Sequence, residues 1–199
     1  MLTDSELLQK LRKDISFVAT LRNRDYKFCS TWGLFSPREI DAGTRLLLKH
    51  IDINSNDNCL DLGCGYGPIG LVMATEASDG ETILLDKDFV AIDYSTKNLQ
   101  LQRIENAKAL LSNGFDAVTN AGQWNLIASN IPAKVGKEML TIYLHDAFKL
   151  LAPGGRFYVV TVNGLRQYMK RNLTEVFGNY KKLKQGSNYT VALAYKASD

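Results

Sequence analysis

Three kinds of side chain in this sequence are spaced for chemistry: acids ending apolar runs, alternating glycines, and an amide close to a proline. The stretch Cys59-Leu60-Asp61-Leu62-Gly63-Cys64-Gly65-Tyr66-Gly67-Pro68-Ile69-Gly70 holds the first two. It reads as a short buried strand, a glycine-rich turn and the start of a helix, an arrangement that lets backbone approach a nucleotide-like cofactor. Four glycines between Gly63 and Gly70 are more than a purely structural turn needs.

The glycines alone leave two cofactors open. Gly65-x-Gly67-x-x-Gly70 fits the dinucleotide fingerprint, whereas Asp61-x-Gly63-x-Gly65-x-Gly67 fits the first motif of S-adenosylmethionine (SAM) enzymes. Two residues separate them. A pyrophosphate docks on free N–H groups at a helix N-terminus, and Pro68 removes one such donor. Asp61 adds a carboxylate beside the loop, which repels phosphate and suits a cofactor with a cationic amino-acid tail. SAM is the better fit.

Composition narrows the setting. The 199 residues, 45% hydrophobic and 23% charged, suit one soluble globular domain with a substantial core, so a single domain over 1–199 is expected. No apolar run approaches the ~20 residues of a membrane span. The polar, acidic start Met1-Leu2-Thr3-Asp4-Ser5-Glu6 is unlike a signal peptide. Three cysteines without a Cys-x-x-Cys pair point to reduced thiols, with neither disulfides nor a metal site. A cytoplasmic monomer is the expectation. A net charge of +3, with clusters at Lys170-Arg171 and Lys181-Lys182 with Lys184, permits an RNA partner without demanding one.

Several elements must position these residues. Thr3-Asp4-Ser5-Glu6 is a capping box, so a helix to about Asp14 is expected. Alternation through Ile15, Phe17, Ala19 and Leu21, then Tyr26, Phe28 and Ser30, predicts a β-hairpin within the extension 1–35. Ser36-Pro37-Arg38-Glu39 reads as the clearest helix start, with Ser36 as cap and Pro37 in the first turn. A strand to Leu62, a helix from about Gly67 to Ala77 and a strand Thr82–Asp86 follow. Next come a helix from Asp88 to Leu101, a strand from Ala107 to Leu111 and a strand from Trp124 to Ser129. A helix from Lys137 is broken at Pro153-Gly154-Gly155; then come a strand Phe157–Val162, a helix around Leu165–Phe177 and a hairpin across Gln185-Gly186-Ser187. Strands alternating with helices specify an α/β fold, Rossmann-like and doubly wound, with a mainly parallel seven-stranded sheet and an antiparallel edge hairpin.

In such sheets ligands bind outside the carboxyl ends of the strands. Four of the predicted strands end in polar or glycine residues: Asp61-x-Gly63, Asp86, Asn113-Gly114 and Asn130-Ile131-Pro132. The Gly63–Gly67 backbone, Cys64 included, is expected to pass the methionine part of SAM. Asp86 lies 21 residues after Gly65 (86 − 65), near the roughly 20 expected for a ribose-binding acid; Asp93 instead falls on a helix. Asn113 and Gly114 would border the adenine. Cys64 reads as a small side chain in a tight turn, and His50 and His145, both on predicted helices, as surface or packing residues. Trp32 and Phe35 could belong to the core, or Phe35 could cover the cofactor. Lys134 could touch an RNA phosphate or only water.

These motifs together resemble the class I SAM-dependent methyltransferases, and most closely the "methyltransferase small" family of ribosomal RNA guanine-N2 methyltransferases. The resemblance covers about residues 15–196. It runs through Gly33-Leu34-Phe35-Ser36 and Asp41-Ala42-Gly43-Thr44-Arg45, the glycine motif, Ser112-Asn113-Gly114-Phe115, and Ser129-Asn130-Ile131-Pro132-Ala133-Lys134-Val135-Gly136-Lys137. It implies a SAM site built from Asp61, Gly63, Cys64, Gly65, Gly67, Asp86, Lys87, Asn113, Gly114, Asn130, Phe35 and Thr44. It further implies a catalytic loop of Asn130, Ile131 and Pro132, in which an exocyclic amine donates to the Asn130 side-chain oxygen and to the next carbonyl. That geometry localises the amine lone pair and aims it at the methyl group. Ile131 replaces the family's proline, and Ala133 stands where relatives carry a larger side chain. The expected activity is methylation of an amino nitrogen, guanine N2 of ribosomal RNA first, with ribosomal RNA or a ribosomal subunit as partner. The rivals are a protein glutamine or adenine-N6 target, a SAM-binding protein without catalysis, and, more remotely, a dehydrogenase.

Overall fold

The computed structural model describes residues 3–11, 13–132 and 135–198. The first helix, α1 (Asp4–Leu11), buries no side chain and is held by the Thr3–Glu6 capping box; it ends earlier than the spacing predicts. β1 (Ile15–Leu21) and β2 (Arg24–Ser30) form the expected hairpin, joined by Arg22-Asn23, both with positive φ, as a tight two-residue turn requires. Its inner residues Tyr26 and Phe28 are buried, and Phe17 and Phe28 meet Tyr66 of the glycine loop edge-on. Asn98 clamps the hairpin in place, accepting from the Cys29 N–H at 2.7 Å and donating to the Cys29 and Tyr66 carbonyls at 2.8 Å each.

The remaining elements run α2 (Ala42–Leu48), β3 (Cys59–Leu62), α3 (Pro68–Glu76), β4 (Thr82–Asp86), α4 (Phe89–Leu101), β5 (Ala107–Leu111), β6 (Trp124–Asn130), α5 (Lys137–Leu150), β7 (Leu151–Val162), α6 (Arg166–Phe177), β8 (Lys181–Gln185) and β9 (Tyr189–Tyr195). The main sheet has the order β5-β4-β3-β6-β7-β9-β8, parallel from β5 to β7 and antiparallel at β9 and β8. The fold is Rossmann-like. One face carries α2, α3, α4 and the hairpin over a core including Leu47, Leu71, Met73, Leu84 and Leu99. The other carries α5 and α6 over Leu140, Leu144, Phe157, Leu173 and Phe177. The chain leaves β3 toward β4 on one side and returns to β6 on the other, so the strand order reverses beside β3. Crevices open at such points.

Two elements differ from the sequence reading. Ser36 does not start a helix: its φ is +47°, and its hydroxyl donates to the Glu39 carbonyl instead of accepting from an N–H. The Ser36 and Glu39 carbonyls both face the Tyr66 hydroxyl, so the segment is a turn anchored to the glycine loop. The helix begins at Ala42, capped by Asp41. The strand expected from Phe157 begins at Leu151, directly after α5 ends at Leu150. Pro153-Gly154-Gly155, expected to break the helix, therefore lies within β7; Gly154 N–H donates to the Lys196 carbonyl and Lys196 N–H to the Gly155 carbonyl. Among the described residues no helix is long and apolar enough to cross a membrane.

Candidate functional site

Strand register sets out the site before any side chain is considered. Leu62 of β3 pairs with Leu85 of β4 on one side and Ser129 of β6 on the other. The next residue of each strand is Gly63, Asp86 and Asn130, so these three stand level at one edge of the sheet. Neighbouring strands lie about 4.8 Å apart, which puts Asp86 and Asn130 on opposite flanks of the glycine loop.

The loop is shaped by conformations that only glycine adopts easily. Gly63, Gly65 and Gly67 all have positive φ, at +73°, +57° and +93°. A Cβ at Gly63 or Gly65 would meet nothing within 4 Å, so the outer surface of the turn is open backbone. Gly70 serves packing instead: a Cβ there would collide with Leu84, so its absence lets α3 lie on β4. Hydrogen bonds hold the turn, with Gly63 and Cys64 N–H donating to the Leu85 carbonyl at 2.8 and 3.0 Å and Ser95 Oγ donating to the Gly65 carbonyl at 2.8 Å. Cys64 is buried and burial raises its thiol pKa well above the usual value, so it fills the turn as a neutral side chain.

Asp61 lies under this loop, fully buried. Its Oδ2 accepts the Gly70 N–H at 2.7 Å, tying β3 to the first turn of α3, while its Oδ1 has no partner among the described residues. Burial pushes its pKa up to about 7, the Gly70 bond opposes that rise, and Asp86 adds to it. Asp86 sits at the rim. Its Oδ2 accepts the Gly65 N–H at 2.9 Å and its Oδ1 the Asp88 N–H at 3.0 Å. An ionised carboxylate has about four lone-pair sites, so both oxygens keep capacity for two ligand hydroxyls. Asp93 pairs with Lys97 one turn along α4, well removed from this role.

Further along the edge, Ser112 Oγ donates to the Gly114 carbonyl and accepts the Ala117 N–H, fixing the turn that presents Asn113. Gly114 has φ +62°, and a Cβ there would meet Tyr143 Cε1 at 2.7 Å. Tyr143 of α5, half-buried and with its pKa raised by burial and then by Asp86, therefore walls this end. Phe89, 72% exposed in the first turn of α4, offers an apolar face after Asp86. Spacing in the sequence marks neither aromatic, although Phe89 stands three residues beyond Asp86, the acid expected at a ribose.

The other flank belongs to Asn130. Its Nδ2 donates to Asp41 Oδ2 and to Thr44 Oγ1, at 3.0 Å each, which leaves the side-chain oxygen as its remaining polar atom. Thr44, expected at the cofactor, is buried with its hydroxyl turned to Asn130. Ile131 is buried in the α5–α6 core, and its N–H donates to the Val160 carbonyl at 3.0 Å. A hydrogen bond that proline could not make thus fixes the backbone at Ile131. Pro132 is exposed; Ala133 and Lys134 lie outside the described residues. Phe35 is 65% exposed beside the Ser36–Glu39 turn, and Lys87 and Asn113 are exposed at the rim. His50 follows α2 in a turn and His145 is exposed on α5, both away from these residues.

The site suits a cofactor without phosphate. Open glycine backbone, an unpartnered buried carboxylate oxygen and a rim carboxylate with free lone pairs match a cationic tail and a ribose. Among the described residues no cluster of basic groups for a pyrophosphate accompanies them.

Comparison with known proteins agrees. The family model described as Methyltransferase small domain matches residues 25–193. The uncharacterized protein YbxB of Bacillus subtilis is 32% identical over 178 residues, 88% of this chain and 89% of that one. The ribosomal RNA small subunit methyltransferase C of Hamiltonella defensa is 30% identical over 84% of this chain. Among solved structures, the T. thermophilus 16S rRNA N2 G1207 methyltransferase in complex with AdoMet and guanosine superposes with a TM-score of 0.83 at 27% identity, covering 92% of this chain. This chain spans about half the length of these two rRNA methyltransferases, 50% in each case.

Proposed function

The chain belongs to the methyltransferase small domain family, and we propose that it methylates an exocyclic amino nitrogen, guanine N2 of ribosomal RNA. Its cofactor is SAM, which supplies an electrophilic methyl group on a sulfonium that departs as a neutral thioether. The observation that carries this reading is the level placement of Gly63, Asp86 and Asn130 at the point where strand order reverses.

In this reading the Gly63–Gly67 backbone lies against the methionine part, and Asp61 beneath it ties the turn to α3 and supplies negative charge for the ammonium group when ionised, above about pH 7. Asp86 accepts the ribose hydroxyls. Asn113, Gly114, Tyr143 and Phe89 border the adenine, Lys87 lies at the rim beside Asp86, and Phe35 covers the site from the lead-in turn. Asn130 Oδ1 and the Ile131 carbonyl accept the two hydrogens of the target amine, drawing its lone pair out of conjugation. With SAM bound, these two acceptors would hold the amine nitrogen toward the methyl group that the sulfonium supplies, and the proton released from the nitrogen would pass to water. Holding two reactants in line can supply several kcal/mol of the barrier without a general base.

The Ile131 N–H bond to Val160 supports catalysis over the binding-only alternative, since it replaces the rigidity that proline provides. RNA is favoured as target because both rRNA relatives are named for it. The exposed lysines of α6 and β8 are available for phosphate contact.

The test is incubation of labelled SAM with small and large ribosomal subunits, free rRNA and release-factor protein. The expected product is N2-methylguanosine in RNA. Label confined to protein, or appearing as N6-methyladenosine, overturns the assignment.

A further inference from the structure

We propose that Asp41 is a positioning residue for methyl transfer: with Thr44 it holds the Asn130 amide in the one orientation that presents Oδ1 to the amine. This rests on the reading above, in which Asn130 receives the target amine.

An asparagine amide has nearly the same shape when turned over, but its two ends have opposite hydrogen-bonding character. Both hydrogens of Asn130 Nδ2 are engaged here, one by Asp41 Oδ2 and one by Thr44 Oγ1. Turning the amide over would set two acceptors against each other with no proton between them, in a part-buried place where water compensates poorly. The carboxylate therefore decides which atom of Asn130 faces the cleft.

Asp41 is itself held firmly. Its Oδ1 accepts the Gly43 N–H at 2.8 Å, and both oxygens accept the Thr44 N–H at 3.3 Å, so it caps α2. A Cβ on Gly43 would meet Tyr189 Cδ1 at 2.9 Å and Asp41 Oδ1 at 3.0 Å. Backbone and the Tyr189 ring thus close around the carboxylate, and burial followed by Asp41 raises the Tyr189 pKa. A cap alone needs no negative charge, because asparagine or serine caps as well. The charge matters for Asn130: a charge-assisted bond at Nδ2 polarises the amide and makes Oδ1 a stronger acceptor.

The test uses the full chain with ribosomal subunits from a strain lacking the enzyme. Asp41→Asn keeps a good helix cap but loses the acceptor that is fixed opposite Nδ2. The expected result is a fall in kcat of about tenfold to hundredfold, with SAM affinity within about twofold of wild type. In an Asn130→Ala background the same change produces no further fall. An activity-independent readout comes from the side-chain amide NMR signals of the SAM-free protein. The Asn130 NH2 pair, identified by its loss in Asn130→Ala, is protected from exchange in wild type and unprotected in Asp41→Asn; Thr44→Val also weakens protection and Thr44→Ser keeps it. Losses that add in the double variant, or equal exchange in wild type and Asp41→Asn, overturn the proposal. Full turnover by Asn130→Ala overturns the reading it rests on. Full turnover by Asp41→Asn while Asn130→Ala is inactive overturns the positioning role alone.

Discussion

The two flanks of Gly63 are built by different means. On the β4 flank, the proposed cofactor half is local backbone: three glycines with positive φ, a strand-end acid whose oxygens take N–H groups at Gly65 and Asp88, and a buried acid under the turn. On the β6 flank, the proposed reactive half is a tertiary tie from Asn130 to Asp41, 89 residues apart, and to Thr44. A shape made by local backbone tolerates changes elsewhere. A side-chain tie fails when any one partner changes.

The sharpest way to separate the halves is to remove one side chain from each. Asn130→Ala is expected to lower kcat by about 10²–10³, the scale for losing one preorganised hydrogen-bonding group, while leaving SAM affinity unchanged by titration calorimetry. Asp86→Ala should do the reverse. Losing charge-assisted bonds of about 1.5–3 kcal/mol raises the SAM dissociation constant by tenfold or more, with kcat at saturating SAM little changed. If both variants lose binding and turnover alike, the division is wrong.

Gly70→Ala probes whether the cofactor half is backbone-determined. The added methyl collides with Leu84, so unfolding in urea should show a loss of about 1–3 kcal/mol. Ala at Gly43, against Tyr189 and Asp41, should instead injure turnover first. Equal effects of the two on stability would blur the contrast.

Asp61 gives a pH signature to the cofactor half. Its folded pKa, raised to about 7, lies above the unfolded value near 3.8. Between those values the folded state binds more protons, so stability falls as pH rises from about 4 to 7 and levels off above. The slope approaches about 1.4 kcal/mol per pH unit for one group. Asp61→Asn should flatten it. A wild-type slope of the opposite sign would mean that the carboxylate is ionised and satisfied when folded.

The sequence was informative where chemistry is local. The glycine turn, the acid at Asp86 and the alternating pattern of the hairpin lie within one or two elements, so spacing alone places them. The capping box at Ser36–Glu39 misled for the opposite reason. Its residues satisfy a local rule, but Tyr66 takes the Ser36 and Glu39 carbonyls from thirty residues away and the helix begins after Asp41. Asp41 and Tyr143 act through partners on distant elements, and no periodicity records such a partnership. The aspartate that caps a helix and the one that orients an asparagine are the same residue, and only the fold brings the second role about.

The smallest expected effect on turnover is at Ile131, and it bears on whether the proposed reactive half is intact. Ile131→Pro removes the N–H bond to the buried Val160 carbonyl and shortens a core side chain. The entropic gain of a ring does not offset the loss of a bonded N–H, so stability should fall by about 1–3 kcal/mol in urea unfolding, while kcat should stay within about threefold. The hydrogen bond and the ring are then alternative ways of fixing the same carbonyl beside Asn130. A rise in kcat of tenfold or more would show the opposite: that isoleucine leaves the loop loose, and that the tie from Asp41 holds the amide of Asn130 without holding the backbone that carries it.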